Sequence, residues 1–183
     1  ELQVYEENDL NEYARIKVEN FLNKLSEKLA QKAEREIIKE FVSEQEENGI
    51  YHVTVLCYFT DDIMKIMKQL EDKKKWKIIE NKNYIEAPKK NGYRGCIVKI
   101  GIPVENQKNE TAVITMQIHT IGMEYWLEME KHISEGKVRK KDTAEFEKSM
   151  ELLCNKMLLF GHNDYMEFCN NIMETLGQNR GAA

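Results

Sequence analysis

The chain has 183 residues, of which 42% are hydrophobic and 32% charged, and its formal net charge is −5. This composition suits one globular domain with an ordinary buried core and argues against disorder. Because charges of both signs are mixed, no global positive field draws nucleic acid or an anionic membrane, so any affinity for phosphate must be local. No apolar run is long enough to span a bilayer, and the first residues are acidic, unlike a signal peptide. We therefore expect a cytoplasmic protein without a nucleic-acid or membrane partner.

The N-terminal quarter of the chain has a helical pattern. Apolar side chains between Asp9 and Glu47 recur mostly three or four positions apart, which predicts a long amphipathic helix with at most one break. Tyr51 to Phe59 is β-branched and aromatic, typical of a strand buried on both faces. The Thr60-Asp61-Asp62 segment is a suitable start for the next helix. The buried stripe of that helix is predicted to be Ile63, Ile66, Met67 and Leu70.

The rest of the chain alternates strands and helices. Short strands are predicted at 76–79, 96–102 and 112–119, and helices at 124–135, 143–160 and 164–176. This order predicts an α/β (α+β) domain with a central mixed sheet. We expect an N-terminal helical segment at 1–48, an α/β core at 49–137 and a C-terminal helical pair at 138–183, within one compact domain. The four cysteines lack metal-ligand spacing, so we interpret them as reduced core thiols: Cys57, Cys96, Cys154 and Cys169.

One predicted loop carries the chemistry of a nucleotide site. It runs from Lys82 to Arg94 and reads Lys-Asn-Tyr-Ile-Glu-Ala-Pro-Lys-Lys-Asn-Gly-Tyr-Arg. Pro88 and the Asn91-Gly92 pair favour a turn. Four cations and two tyrosines surround that turn, and cations that neutralise phosphate beside an aromatic ring that stacks on a base are the two halves of a nucleotide site.

This loop and the later segment Met116 to Trp126, Met-Gln-Ile-His-Thr-Ile-Gly-Met-Glu-Tyr-Trp, resemble the synthetase domain of the RelA/SpoT family. These GTP pyrophosphokinases make the alarmone (p)ppGpp. Their motifs run roughly Lys-Asp-Tyr-Ile-x-x-Pro-Lys-x-Asn-Gly-Tyr-Arg-Ser and Glu-x-Gln-Ile-Arg-Thr, followed by Met-x-x-Trp. The resemblance implies a nucleotidyltransferase-like mixed sheet flanked by helices. The reaction it implies is transfer of pyrophosphate from ATP to the 3′ hydroxyl of GDP or GTP, assisted by Mg²⁺.

The chain departs from the family at the residues that would hold the metal. Gly49 stands where the resemblance implies an Asp, and Thr115 stands where it implies a Glu. Neither side chain supplies the charge that a hard divalent cation needs. We therefore predict no catalytic residue and no metal site, with Mg²⁺ as a cofactor only if activity is retained. Substitute acids are conceivable at Glu47, Asp61, Asp62, Glu105 and Glu110.

The guanosine half of the implied site is better preserved. By resemblance, the residues that meet the guanine nucleotide are Lys82, Lys89, Asn91, Tyr93 and Gln117, with Tyr93 stacking on the base. The residues implied to meet phosphate are Arg94, His119, Arg15, Lys17 and Lys24.

Three hypotheses of different classes follow. The favoured one is a catalytically impaired synthetase-like protein that binds a guanine nucleotide or (p)ppGpp, or regulates a partner. The second is an active (p)ppGpp synthetase that also binds ATP and uses relocated acids. The third is a vestigial site on a module whose long helices serve homo-oligomerisation or partner binding, and family analogy favours a homo-oligomer in any case.

Overall fold

The computed structural model describes residues 7–89, 92–105 and 109–135, together with helical positions 148, 152, 166–167, 170–172 and 174. The first three ranges contain three helices and five strands. In chain order these are α1 (Glu7–Ala33), β1 (Ile38–Gln45), β2 (Tyr51–Cys57), α2 (Thr60–Glu71), β3 (Lys77–Asn83), β4 (Cys96–Pro103), β5 (Thr111–Thr120) and α3 (Ile121–Ser134).

The five strands form one mixed sheet in the order β1-β2-β5-β4-β3. Strands β2 and β5 run parallel at its centre. The other neighbouring strands pair antiparallel. The predicted α/β class with a central mixed sheet flanked by helices is therefore confirmed.

One face of the sheet packs against α1 and α2. Val98 and Met116 are buried there in the main core, together with Leu22 of α1 and Ile66 of α2. Since side chains alternate between the two faces along a strand, the residues between these core positions belong to the opposite face. We call that side the open face; it carries His52 and Thr54 of β2, Thr115 and Gln117 of β5, and Lys99 of β4.

At one end of the open face, the chain leaves β5 and enters α3 directly. A second apolar cluster forms there from Tyr93, Met123 and Trp126, with Tyr84 packed against it. Tyr84 and Tyr93 of the Lys82–Arg94 segment therefore pack at the end of the open face that α3 covers. Trp126, which matches the family motif, is buried in this cluster and packs there.

The long helix predicted to reach Glu47 was wrong beyond Ala33. Helix α1 is followed by Glu34 in the left-handed region at φ 55°, and β1 then pairs with β2 along its length. Spacing of apolar residues such as Phe41 fitted a helix equally well, and Glu and Lys favour helices. Pairing with β2, which places Phe41 opposite Val55, overrode that local preference.

Two strand predictions also needed correction. Strand β3 extends to Asn83, so Lys82 lies in a strand paired with Ile97 rather than in a loop. Strand β2 was predicted to be buried on both faces, but on the open face His52 and Thr54 are half-buried and only Leu56 is buried. The predicted stripe of α2 is confirmed, since Ile63, Ile66, Met67 and Leu70 are all buried.

The C-terminal helical pair predicted at 143–160 and 164–176 lies mostly outside the described residues, although the eight positions described in it are helical. Cys57 and Cys96 are buried free thiols, as predicted, and burial raises the pKa of Cys96 to about 11. Cys154 and Cys169 lie outside the described residues. Among the described helices, none is both long and apolar enough to cross a membrane.

Candidate functional site on the open face

Strand register shows what surrounds Thr115, one of the two positions where the resemblance implies an acid. His52, three residues after Gly49, lies opposite Thr115 on the parallel strand β5. Thr115 in turn lies opposite Lys99 of β4, and Lys99 lies opposite Glu80 of β3. The row that crosses the sheet at this level therefore contains an imidazole, a hydroxyl, an ammonium and, on the edge strand, the Glu80 carboxylate. Its Thr115 stands where the family resemblance implies a metal-binding Glu.

These residues do not fit a magnesium ion. Gly49 lies in the β1–β2 turn with φ 82° and offers no side-chain ligand, and the Thr115 hydroxyl carries no charge. Across the described ranges, no group of three His, Cys, Asp or Glu side chains is arranged to hold a metal ion. Mg²⁺ needs carboxylate oxygens at near-octahedral geometry, so no catalytic step through the metal follows from this donor set.

Of the conceivable substitute acids, Asp62 has a structural role. Its carboxylate is fully buried and accepts from both terminal nitrogens of Arg35, at 2.6 and 3.0 Å, and from Lys65 at 3.1 Å. It also accepts the Phe59 backbone N–H at the start of α2. This carboxylate is therefore committed to joining α2 to the segment that precedes β1.

The other conceivable acids are also poorly placed for the loop. Glu105 and Glu110 flank the β4–β5 turn, at the start of β5, and Glu105 pairs with Lys17 of α1 at 2.9 Å. His119 near the end of β5 is eight residues from the first residue of that strand, or roughly 26 Å. Glu47 and Asp61 are exposed, in the β1–β2 turn and at the start of α2.

The segment between β3 and β4 is closed by backbone hydrogen bonds. The Tyr84 N–H donates to the Gly95 carbonyl at 2.8 Å, the Lys89 N–H to Tyr93 at 3.1 Å, and the Gly92 N–H to Lys89 at 2.8 Å. Gly92 has φ 87°, which favours glycine, so the predicted turn chemistry is confirmed at this position. Asn91 lies outside the described residues.

Tyr93 is turned inward. Its side chain is only 2% exposed, and its ring meets Tyr84 and His119 edge to face at centroid distances of 5.8 and 5.9 Å. The Lys89 ammonium lies over the Tyr84 ring at 4.7 Å and the Tyr93 ring at 5.2 Å. In this state the ring that the resemblance assigns to guanine is covered by protein groups, with Lys89 over it.

The Tyr93 hydroxyl lies in a hydrogen-bonded chain of four side chains. Gln117 Nε2 donates to it at 2.9 Å, and His119 Nδ1 lies 3.3 Å away. The Glu124 carboxylate can only accept, so His119 Nε2 carries the ring proton, and Nδ1 of the neutral ring accepts from the Tyr93 hydroxyl. His119 Nε2 then donates to the carboxylate of Glu124 at the start of α3.

The same chain continues to β2. His52 Nε2 donates to Gln117 Oε1 at 3.1 Å, since an amide oxygen only accepts. The other ring nitrogen of His52 lies 3.7 Å from the Glu46 carboxylate. Gln117, which the resemblance assigns to the pocket, is thus the link between the strand of the missing acids and Tyr93.

Burial shifts the pKa values of two side chains in this hydrogen-bonded chain, Tyr93 and His119. Desolvation raises the pKa of the Tyr93 hydroxyl well above its usual range, although the Gln117 hydrogen bond opposes the shift. Desolvation also lowers the pKa of His119, against the opposing effect of the Glu124 carboxylate. Tyr93 is therefore neutral near pH 7. The side chain of His119, a predicted phosphate ligand, is 1% exposed, and both of its ring nitrogens have partners within the protein. In this state His119 has no N–H group that faces solvent.

Two further predicted ligands come from β3 and from the segment before β4: Lys82, predicted to meet the guanine nucleotide, and Arg94, predicted to meet phosphate. Lys82 projects from the edge strand β3 and pairs with Glu80 at 2.7 Å. That ion pair raises the pKa of Lys82. Arg94 is half-buried, and its backbone N–H meets the sulfur of Met123 at 3.0 Å.

The predicted phosphate ligands of α1 are on the other side of the sheet. Arg15 pairs with Glu19 at 2.8 Å and with Glu12, and its guanidinium lies 5.5 Å from the centre of the Tyr51 ring. Lys17 and Lys24 line a groove beside α2. Because α1 packs on the core face, the structure does not bring these three cations together with Tyr93 and Gln117.

Comparisons with known proteins agree with this architecture. Residues 15–141 match the family model described as "Region found in RelA / SpoT proteins". The chain belongs to the RelA/SpoT family. It is 31% identical over 147 residues to the GTP pyrophosphokinase YwaC of Bacillus subtilis (strain 168), a match that covers 76% of this chain and 67% of that relative.

Solved RelA/SpoT relatives share the fold. The small alarmone synthetase 2 from Bacillus subtilis aligns with a TM-score of 0.67 at 24% identity, covering 82% of this chain and 92% of that one. The small alarmone synthetase 1 from the same organism, bound to its product pppGpp, aligns with a TM-score of 0.65 at 18% identity, covering 87% and 94%. At these identities the likeness shows the fold alone.

Sequence reasoning missed three residues of this site. His52 and Lys99 occupy strand positions that only the cross-strand register places beside Thr115. Glu124 was missed because its partner His119 lies near the end of β5, whereas Glu124 lies in the first turn of the next element, α3. An acid five residues after a histidine at a strand-to-helix junction was the available signal.

Proposed function

We propose that this RelA/SpoT chain binds a guanine nucleotide or (p)ppGpp on its open face and transfers pyrophosphate poorly or not at all. One observation carries the proposal. Neither of the implied acid positions, Gly49 in the β1–β2 turn and Thr115 on β5, carries a carboxylate, whereas the cations and tyrosines of the neighbouring loop are retained. Binding is thus favoured over metal-assisted transfer.

The open face offers groups for both parts of a nucleotide. Lys82 and Lys99 lie on neighbouring strands at the level of Gln117 and Thr115, where they can neutralise phosphate. Tyr84 and Tyr93 offer aromatic faces to a base. The pppGpp-bound small alarmone synthetase 1 shares this fold, which supports a guanosine polyphosphate as the ligand.

Base stacking on Tyr93 requires a local rearrangement. Lys89 must leave the two rings that it covers, and the Tyr93 hydroxyl must leave Gln117 and His119. The displaced Lys89 ammonium is then free to meet a phosphate. Such a closed state reduces the observed affinity by the fraction of molecules that are open.

Calorimetric titration with GDP, GTP and ppGpp, with and without Mg²⁺, tests the proposal. We expect saturable binding of at least one guanine nucleotide, weakened about tenfold in Lys82→Ala, as for the loss of one phosphate contact of about 1.4 kcal/mol. Lys39→Ala is the matched control, because it removes an exposed lysine from β1, at the opposite edge of the sheet from β3. Equal affinities of the two variants, or no binding at all, would contradict the proposal.

The second candidate is an active (p)ppGpp synthetase with relocated acids. It is favoured by the 31% identity to a GTP pyrophosphokinase. Glu124 and Glu46, at the two ends of the hydrogen-bonded chain, are then candidate acids. Formation of (p)ppGpp that is abolished in Glu124→Gln would establish this alternative.

A further inference from the structure

A lysine lies beside one of the positions where the family resemblance implies a metal-binding acid. Lys99 of β4 is directly opposite Thr115 of β5, and residues paired in this way in adjacent antiparallel strands have Cα atoms about 5 Å apart. Both residues are half-buried and belong to the open face. A group bound at Thr115 is therefore within reach of the long Lys99 side chain and its positive charge.

The sheet holds Lys99 in position and leaves its charge available. Strand β4 is paired on both sides, with β3 and with β5. The carboxylate of Glu80, opposite Lys99 on β3, bonds to Lys82 at 2.7 Å. In the part of the chain that the structure describes, the Lys99 ammonium forms no hydrogen bond or ion pair. Because the side chain is half-buried, salt screens this charge less than the charge of a fully exposed lysine.

The charges of this row determine what an anion meets there. Where two carboxylates hold Mg²⁺, phosphate binding depends on the ion, because the carboxylates alone repel phosphate. In this chain Gly49 and Thr115 are neutral, the charge of Glu80 is offset by Lys82, and Lys99 adds one positive charge. The row therefore attracts phosphate without a metal ion, and Lys99 repels a Mg²⁺ ion that the phosphate brings with it.

We propose that Lys99 takes the electrostatic place of the divalent metal ion, so that this chain binds the phosphates of its guanine nucleotide without Mg²⁺. The inference rests on the guanine-nucleotide function proposed above and deepens it. It assigns Lys99 as a residue that determines specificity, because the ammonium favours the metal-free nucleotide over its magnesium complex. The misfit between the donor set and Mg²⁺ is then a change in how the phosphates are bound.

Calorimetric titration of the full chain with GDP and with ppGpp, in EDTA and in a millimolar excess of Mg²⁺, tests the proposal. We expect the Kd in EDTA to be equal to or lower than the Kd in Mg²⁺. In EDTA, Lys99→Met should raise the Kd about tenfold, because it retains the packing of the side-chain stem and removes the charge. Lys99→Arg retains a cation and should bind within about threefold of the wild type.

Two further variants sharpen the test. Lys68→Met is the matched control, because it removes an exposed lysine from α2, which packs on the core face of the sheet, and it should bind as the wild type does. Thr115→Glu introduces the implied acid beside Lys99, and it should weaken binding in EDTA because the new carboxylate pairs with Lys99 and repels phosphate.

Three results would overturn the proposal: tighter binding in Mg²⁺ than in EDTA, equal Kd values for Lys99→Met and Lys68→Met, or an unchanged Kd in EDTA for Thr115→Glu. Each of these leaves the guanine-nucleotide function standing, because a guanine nucleotide still binds. Absence of binding in both buffers would overturn that function and this inference together, so the two failures are distinguishable.

Discussion

The Tyr93 hydroxyl lies 2.5 Å from the point that a Cβ atom on Gly95 would occupy. The carbonyl oxygen of Ile118 lies 2.8 Å from the same point. Tyr93 therefore turns inward into space that exists because residue 95 has no side chain. The family resemblance implies a Ser at this position, so the inward state of Tyr93 is tied to a departure of this chain from the family motif.

Substitution Gly95→Ala tests this relationship. The added methyl group is expected to displace Tyr93 and to destabilise the fold by about 1–3 kcal/mol, as overpacking does. The displaced tyrosine should react faster with tetranitromethane, measured by mass spectrometry of the nitrated peptide. Gly101→Ala is the control, since its Cβ would lie 2.9 Å from Thr111 at the other end of β5. Equal nitration of Tyr93 in the two variants would contradict the account.

Removal of the Tyr93 hydroxyl should break the hydrogen-bonded chain. In Tyr93→Phe, Gln117 and His119 each lose a buried partner, which we expect to lower the free energy of unfolding by about 1–3 kcal/mol in urea denaturation. Tyr58→Phe is the comparison, because that hydroxyl bonds to Glu36 at an exposed site and should matter less. A Tyr93→Phe protein as stable as the wild type would show that this hydrogen-bonded chain contributes little to the free energy of unfolding.

His119 should make stability depend on pH. Burial lowers its folded-state pKa below the ordinary value of 6.5, so the unfolded chain binds the proton more readily. The stability that neutral His119 contributes is therefore present above pH 6.5 and is lost as the pH falls below that value toward the folded pKa. Protonation also ends acceptance from Tyr93 at Nδ1.

The measurement is the free energy of unfolding between pH 5 and 8 for the wild type and for His119→Gln. The difference between the two should shrink as the pH falls. Glu124, His52 and Glu46 belong to the same hydrogen-bonded chain in both proteins, so the His119→Gln curve serves as the background. Parallel curves for the two proteins would exclude His119 as the source.

Asp62 is expected to be structural rather than catalytic. Asp62→Asn leaves the half-buried Arg35 without its bidentate carboxylate, at a cost of about 3 kcal/mol in the free energy of unfolding. Asp61→Asn, at the neighbouring exposed position, should cost less than about 1 kcal/mol. Loss of transferase activity in Asp62→Asn without loss of stability would support the relocated-acid hypothesis.

The sequence predicted most of the fold, because periodicity and turn chemistry are local properties. It failed at β1, where Glu and Lys favour a helix and only pairing with β2 decides for a strand. It also failed to divide the predicted cations between the two faces. Lys17 and Lys82 both match phosphate ligands by type, and only the packing of α1 against the core face separates them.

The candidate site shows the same limit. The motif located Tyr93 and Gln117 correctly in one place, and the absence of acids at Gly49 and Thr115 was visible in the sequence. The contacts to His52 and Glu124 were not, because they depend on strand register and on a change of element. A motif also does not determine the rotamer of a side chain, so the inward orientation of Tyr93 could not be predicted from the sequence.

A transfer assay tests the central claim most directly. The chain would be incubated with labelled ATP, GDP and Mg²⁺, with the YwaC relative as positive control, and GDP binding would be measured on the same preparation. We predict binding of the guanine nucleotide without (p)ppGpp above the level without protein. Product that increases with protein and with Mg²⁺ would contradict the account and place the missing acids elsewhere in the chain.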